Sequence, residues 1–445
     1  MPEIRPFRGL RFEPDVVGDL KAVVSPPYDV ISPEQQQALL ARDPHNVVRL
    51  DLPTEELGDD PDDRYRRAAR TFAAWRSDGS FRKDPRPSLY VYEQTYRVPG
   101  TDVDRTQRGF FGRLQLEAFG AGSGVLPHER TMSGPKEDRY KLLRATGANF
   151  SPVVGLYQDP TGASTSILAD VASRPPTIDL VDDDGVTHRL WVVPSDGQDN
   201  PAADGTVGRL VAAAAGAPVT IADGHHRYET ALRYRDERRM SRSCEEDPPF
   251  DYVLMLFLET SAGQLTVLPT HRLVHGLGDA GVKALWANLG ELFDVARAGS
   301  AADLVSAFGS AAVAPGGRGR FGLWTRSGGA TLTARREAFE PWVPAGGEAL
   351  RRLDVTLLQV ALERLAGIDP AATAAGGRVS YTKSAAEAIA SVDRGQDGVD
   401  AAFLLEPTPV AEVTAVAQSG DVMPQKSTYF FPKPVTGLVI NPHEW

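Results

Sequence analysis

The sequence predicts a mixed α/β fold, and three observations carry that expectation. Glycine and proline are dense, 42 and 34 of 445 residues, so turns interrupt the chain too often for long bundle helices. Apolar stretches such as Val253 to Leu258 have the length of strands. Capped helix starts alternate with them. At ~100–200 residues per domain the chain accommodates about two to four units, each able to bury a core.

The elements follow in order. Pro26-Pro27-Tyr28-Asp29 enforces an extended or turning backbone, because a residue before proline is pushed out of the helical region. Ser32 then caps a helix with Pro33 at its first position, Gln35 completing a capping box and Ala38, Leu39 and Leu40 following. A helix is expected over Tyr65 to Trp75, ended by Ser77-Asp78-Gly79, and a strand over Leu89 to Tyr96. Phe110, Phe111, Leu114 and Leu116 lead through a glycine-rich bend at Gly120 to Gly124 into Val125-Leu126-Pro127-His128-Glu129-Arg130-Thr131. Pro135 to Thr146 reads as a helix, with Glu137 and Asp138 at its positive end and Gly147 beyond its end. Strands are expected at Ser151 to Tyr157 and around Trp191, and a loop at Gln198 to Asp204.

Pro218 to Ala222 reads as a short buried strand, Asp223-Gly224 as a turn, and His225 onward as a helix with Tyr228, Ala231 and Leu232 on its apolar face. Strands follow at Tyr252 to Leu258 and Leu265 to Leu268, joined by Ser261-Ala262-Gly263 and continuing into Thr270-His271-Arg272. Gly316-Gly317 and Gly328-Gly329 flank a hairpin strand at Arg320 to Trp324. A helix over Val355 to Leu365 and a strand over Ala402 to Leu405 precede Lys426-Ser427-Thr428-Tyr429-Phe430-Phe431-Pro432-Lys433-Pro434. The expected division is an N-terminal α/β region at 1–107, a core at 108–275 and a C-terminal α/β region at 276–445.

Composition narrows the function. Lys and Arg number 48 against 59 Asp and Glu, a net charge of −11, which opposes nucleic acid as the main partner. One cysteine, Cys244, excludes an intramolecular disulfide and a four-cysteine zinc site, and points to a reducing cytoplasm. Glu3, Arg5, Arg8, Arg11, Glu13 and Asp15 interrupt the first residues, so no signal-peptide stretch is expected, and the longest obvious apolar run falls short of the ~18 residues of a membrane span. The expected partners are small molecules, with no membrane; an oligomer is compatible with the sequence.

Asp223-Gly224-His225-His226-Arg227 is the first candidate site. A strand ending in a glycine turn that opens a helix directs unpaired N–H groups into one small volume, which attracts anions. Two imidazoles and a guanidinium add donors there. The alternative is that Asp223 only caps the helix and Arg227 pairs with a surface carboxylate. His128-Glu129 is the second: Glu129 can accept a proton from a substrate hydroxyl and His128 can bind or orient phosphate, or the glutamate is merely solvated beside Arg130. Adjacent His225 and His226 lack the i, i+4 spacing of a zinc helix. Thr270-His271-Arg272, Lys426-Ser427-Thr428 and Tyr28-Asp29 are further polar clusters, while Lys433 reads equally as an exposed lysine and Tyr429 to Phe431 as core or interface.

Four motifs in order, PPYDVIS from Pro26, LPHERT from Leu126, DGHHRYETAL from Asp223 and KSTYFFPKP from Lys426, resemble the domain-of-unknown-function 1015 family over nearly the whole chain. Two of them, within Arg108 to His275, are also similar to the ParB/sulfiredoxin superfamily, and in pattern to its free-serine kinases. That resemblance implies a ParB/sulfiredoxin-like core with added α/β regions at both ends. It implies Glu129 as catalytic base with Asp223 and His128 beside it, and Arg130, Thr131, Gly224, His225, His226 and Arg227 on donor phosphates. His271, Arg272, Lys426, Ser427, Thr428, Tyr28 and Asp29 are the expected substrate contacts, and Asp223 the candidate ligand for Mg²⁺. The donor would be ATP, ADP or another phosphate compound, and members' placement beside serine-biosynthesis genes favours serine or phosphoserine as substrate. His225 stands where sulfiredoxin has its cysteine, which disfavours sulfinic-acid reduction. Two other readings stay open: a phosphoserine or nucleotide phosphohydrolase, and a ParB-like nucleotide-binding regulator. The absence of a basic helix-turn-helix pattern opposes the last.

Overall fold

The computed structural model describes residues 1–120, 122–129, 133–196, 205–241, 247–261, 263–309 and 318–443. Cys244 and the expected loop at 198–204 lie outside these residues. The fold is mixed α/β. Its larger sheet comprises β1 (Ile4–Arg5), β2 (Ser88–Arg97), β3 (Asp104–Gln115), β4 (Val125–Leu126), β5 (Val153–Tyr157), β6 (Ile178–Val181), β7 (Thr187–Pro194), β8 (Val219–Asp223) and β9 (Tyr252–Glu259). Their order is β4-β8-β5-β9-β3-β2-β7-β6, with β1 paired to β3. The β4/β8 and β5/β9 pairs are parallel and the others antiparallel. All eight residues of β9 are buried, because it lies between two other strands with both faces covered, and its sequence accordingly shows a continuous apolar run.

The expected helices form with small changes at their ends. The first, α1 (Pro33–Arg42), starts where Ser32 Oγ accepts from the Gln35 N–H at 3.2 Å. The next, α2 (Asp63–Ser77), buries Tyr65, Ala68, Phe72 and Trp75, the three- and four-residue spacing of one helix face. Two more, α3 (Ser133–Thr146) and α4 (His225–Ser241), pack against each other, with α4 against β5 and β9. At the N-terminus Tyr90 Oη accepts from the Gly9 N–H at 2.7 Å and donates to Asp84 at 2.9 Å, while Arg11 grips Asp84 through two bonds of 2.9 and 2.6 Å. Only glycine fits at position 9, since a Cβ there would lie 2.5 Å from Val439.

After β10 (Thr266–Leu268) come β11 (His271–His275), β12 (Phe293–Arg297), β13 (Arg320–Thr325), β14 (Gly328–Ala334), β15 (Val379–Thr382) and β16 (Val399–Leu404), then β17 (Tyr429–Phe431). A second, antiparallel sheet has the order β12-β14-β13-β16-β11-β15. Separately, β10 pairs with β17, which brings the late Lys426–Pro434 segment back to the larger sheet's outgoing chain.

The structure departs from the expectations in its strand pairing and its helix set. Strand pairing crosses both expected region limits: β3 runs through 107/108 and takes β1 and β2 as partners, and β11 joins the second sheet before 275/276. Turn residues mark where strands end but carry no record of which strands pair. Gly328 and Gly329 flank β13 as expected, opening the returning hairpin strand β14 directly after the Arg326-Ser327 turn. The helices Ala163–Ala172, Gly278–Asn288 and Val410–Gln418 carry little sequence signal because small residues blur their polar and apolar faces, and Thr206–Ala214 adds a further helix. The helix Ala385–Arg394 did carry a readable signal, Ser384 accepting from the Glu387 N–H.

Burial pushes His128 and His271 down to about 4 and His443 to about 3 from the usual 6.5, and lowers His225 strongly. An unfolded chain therefore takes up protons near 6.5 that the folded chain refuses until about 4. The stability these rings contribute is complete above the unfolded value and is lost as pH falls towards the folded one. Urea midpoints should decline from about pH 7 to about pH 5, and a flat profile would show that the rings are not buried as neutral groups.

Candidate functional site

Parallel pairing of β4 with β8, Val125 against Val219 and Leu126 against Thr220, closes the long sequence gap between the two candidate motifs. Residues that follow parallel strands emerge at the same sheet edge, so Pro127-His128-Glu129 lies beside Asp223-Gly224-His225. His128 locks the junction. Its N–H donates to His225 Nε2 at 3.2 Å, its Nδ1–H to the Ile221 carbonyl at 2.5 Å, and its Nε2 accepts from Thr428 Oγ1 at 3.0 Å. The His128 and His225 rings meet edge to face at 4.7 Å.

Glu129 continues from that junction. Its Oε1 accepts from the Lys426 N–H at 2.9 Å, and the His128 carbonyl accepts from the Met423 N–H at 2.8 Å, so the late segment is stitched to the motif along its backbone. Lys426 takes a left-handed conformation, φ 55°, to present that N–H. Burial raises the Glu129 carboxyl, with the Lys426 N–H and charge opposing the shift in part. The Arg272 guanidinium lies within electrostatic reach of Glu129, 5.4 Å from the Tyr381 ring centre, and donates to the Thr270 carbonyl and, at 3.3 Å, to that of Lys426.

Asp223 faces the same volume from the other motif. Lys433 Nζ bonds one carboxylate oxygen at 2.9 Å and Arg227 Nη2 the other at 2.8 Å. Burial disfavours its charge, but these two cations overcome burial and hold the carboxyl well below the usual range. Each Asp223 oxygen is thus paired with a cation, so in this structure the carboxylate serves as the shared counter-charge of Lys433 and Arg227. Among the described residues no group of three His, Cys, Asp or Glu side chains is placed to hold a metal. Gly224 has φ +86°, and a Cβ there would sit 3.0 Å from Arg227 Nε, so the turn requires glycine. Beyond it the first-turn N–H groups of α4 open the anion-attracting end of a 17-residue helix.

The side chains expected on phosphate divide. His225 accepts from His128 and is turned inward, and Arg227 is committed to Asp223 and the Pro152 carbonyl. These two act on the frame, leaving the backbone N–H groups and the half-buried His226 nearer the role foreseen. His128 is likewise a junction residue; burial keeps it neutral and all its polar atoms are engaged. Tyr28 does reach the site, with Arg139 3.9 Å and Arg227 6.0 Å from its ring centre, and burial pushes its hydroxyl up to about 12. Asp29 lies within electrostatic reach of Arg227 and Lys433.

Two expected substrate contacts belong elsewhere. His271 is buried and Nδ1 accepts from the Leu405 N–H at 3.2 Å, inside the second sheet's surroundings. Ser427 is buried and donates to the Pro424 carbonyl. Arg130 and Thr131 lie outside the described residues. Sequence reasoning gave Lys433 no role, although its place between Pro432 and Pro434 signalled a rigid backbone. Nothing in the sequence around Tyr381 and Lys383 pointed to the site.

A family model described as "Protein of unknown function (DUF1015)" matches residues 4–356. No curated protein matches the chain. Among solved structures, a free serine kinase in complex with AMP aligns at 13% identity and a TM-score of 0.36, covering 77% of this chain and 95% of that one. A conserved hypothetical protein from Pyrococcus furiosus aligns at 13% identity and 0.33, covering 71% and 90%. SbnI with a C-terminal truncation, from Staphylococcus aureus, aligns at 11% identity and 0.33, covering 70% and 82%.

Replacing Asp223 by Asn leaves Lys433 and Arg227 buried without their counter-charge. The variant should lose about 3 kcal/mol of stability in urea unfolding, the usual scale for breaking a buried ion pair from one side. Because the folded carboxyl is held below its ordinary 3.8, the wild-type contribution is present above that value and lost as pH falls through the folded one. Equal stability of variant and wild type at neutral pH would remove this account.

Proposed function

We propose a function from one premise: this chain belongs to the DUF1015 family. The reading is a phosphotransferase acting on free serine or phosphoserine. The observation that supports it is the meeting of Glu129 with the start of α4, tied together through His128 and His225. A carboxylate made more basic by burial stands across from a helix end that attracts phosphate, and that pairing suits transfer to a hydroxyl.

In this mechanism the first-turn N–H groups at Gly224, His225 and His226 hold the phosphates of a nucleoside polyphosphate such as ATP or ADP. Such transfer asks the protein chiefly for in-line placement and charge neutralisation. Lys426 fixes Glu129 through Oε1, leaving Oε2 for the substrate. The serine hydroxyl gives its proton to Oε2 as its oxygen bonds phosphorus, while the bond from phosphorus to the donor's bridging oxygen breaks and the nucleotide leaves with that electron pair. Phosphoserine returning its phosphate runs the same steps in reverse. Asp223 holds Lys433 and Arg227 in place, and no step is assigned to Mg²⁺.

Purified protein is to be incubated with serine and a panel of phosphate donors, each with and without Mg²⁺, and phosphoserine measured. Glu129→Gln should cut turnover by ~10²–10⁴ while donor binding persists. Unchanged turnover would remove Glu129 as the base, and free phosphate without phosphoserine would make the protein a hydrolase. Since burial raises the Glu129 carboxyl above its usual 4.5, the acidic limb of the wild-type rate profile should have its midpoint above that value. Rates independent of pH across that limb would contradict the assignment.

A further inference from the structure

The second sheet sends one strand end into the site. Tyr381 lies in β15, within electrostatic reach of Arg272 and Glu129, and the exposed Lys383 follows at the bend where the strand ends. Tyr381 meets Arg272, its register partner on β11, while Lys383 Nζ lies 4.0 Å from the ring centre of Tyr429. Lys433 approaches the same ring at 4.6 Å. All of these but Arg272 lie beyond residue 356, where the family match ends.

The charges there are unevenly paired. Asp223 engages Lys433 and Arg227, and the Arg272 guanidinium donates to backbone carbonyls. Among the described residues no carboxylate comes within 4.0 Å of Lys383 Nζ, and the π face of Tyr429 is its neighbour instead. An aromatic face steadies an ammonium electrostatically yet accepts none of its N–H groups in a strong directional bond. The donors of Lys383 therefore stay available. Lys383 is exposed, yet partial desolvation, followed by repulsion from Lys433 and Lys426, lowers its proton affinity, with Asp29 and Glu387 acting against the shift.

We infer that Lys383, seated on Tyr429, anchors the anionic group of the small substrate: the carboxylate of an amino acid or the phosphate of its phosphorylated form. The inference rests on the phosphotransferase reading for the substrate's identity, while the anion site stands on the lysine geometry. Charge-assisted bonds from Lys383 would hold that group while the hydroxyl end meets Glu129.

The test is binding, measured by calorimetry on the full chain without turnover. Serine, phosphoserine and inorganic phosphate are titrated into wild type, Lys383→Met and Lys383→Arg, with ADP as the donor-side comparison. Lys383→Met should weaken phosphoserine about tenfold, on the scale of one charge-assisted bond, with ADP affinity unchanged and Lys383→Arg near wild type. Loss for serine and phosphoserine but not phosphate assigns the carboxylate; loss for phosphoserine and phosphate but not serine assigns the phosphate. Unchanged affinity for all three, equal weakening of ADP, or no binding of any of them by the wild type overturns the inference. If Lys383-dependent binding is found in a protein that makes no phosphoserine, the anchor stands and the phosphotransferase reading falls.

Discussion

A single neutral imidazole sets the geometry on which the candidate site depends. His128 donates through Nδ1 to the Ile221 carbonyl and accepts through Nε2 from Thr428, an arrangement that only one tautomer of an uncharged ring satisfies. Its backbone N–H holds His225 and its carbonyl holds Met423. Three stretches distant in sequence thus meet on one buried residue: the β4 exit, β8 with the start of α4, and the late stretch from Met423 to Thr428. Protonation would turn an acceptor into a donor facing Thr428, and burial opposes it.

Around that junction the electrostatics run against the molecule as a whole. A chain of net charge −11 repels anions at long range, yet Lys383, Lys426, Lys433, Arg227 and Arg272 gather about Glu129, Asp223 and Asp29. Asp223 allows Lys433 and Arg227 to be buried together by pairing with both. It organises the positive pocket without having to face a ligand. Glu129 has a different environment: one oxygen accepts a backbone N–H and burial raises its proton affinity. Two carboxylates in one pocket are pushed in opposite directions, the separation that acid–base chemistry uses.

Much of this was legible, but unevenly. The strand–turn–helix at Pro218 to His225 appears as β8, Gly224 and α4, because a short apolar run, a glycine and a helical face are local signals. The side chains around it were less readable. His128 and His225 looked like phosphate ligands and are bonded to each other, since nothing local tells a histidine facing a ligand from one facing its own backbone. His271 and Ser427 were drawn towards the site by polar neighbours and turn inward to Leu405 and Pro424. Lys383 sits in a stretch with no motif, and its importance arises from the packing of β15 against β11.

The amino-acid order by itself determined the α/β character, the caps and turns, the acidic balance and the two motifs whose residue types suit phosphate and proton chemistry, because each depends on neighbours within a few positions. The fold alone decided which strands pair across 107/108, that Asp223 is shared between Lys433 and Arg227, and that a lysine from the second sheet stands over Tyr429. Those are contacts between residues tens to hundreds of positions apart. They are selected by the burial and charge balance of the whole molecule, which no local window of sequence contains.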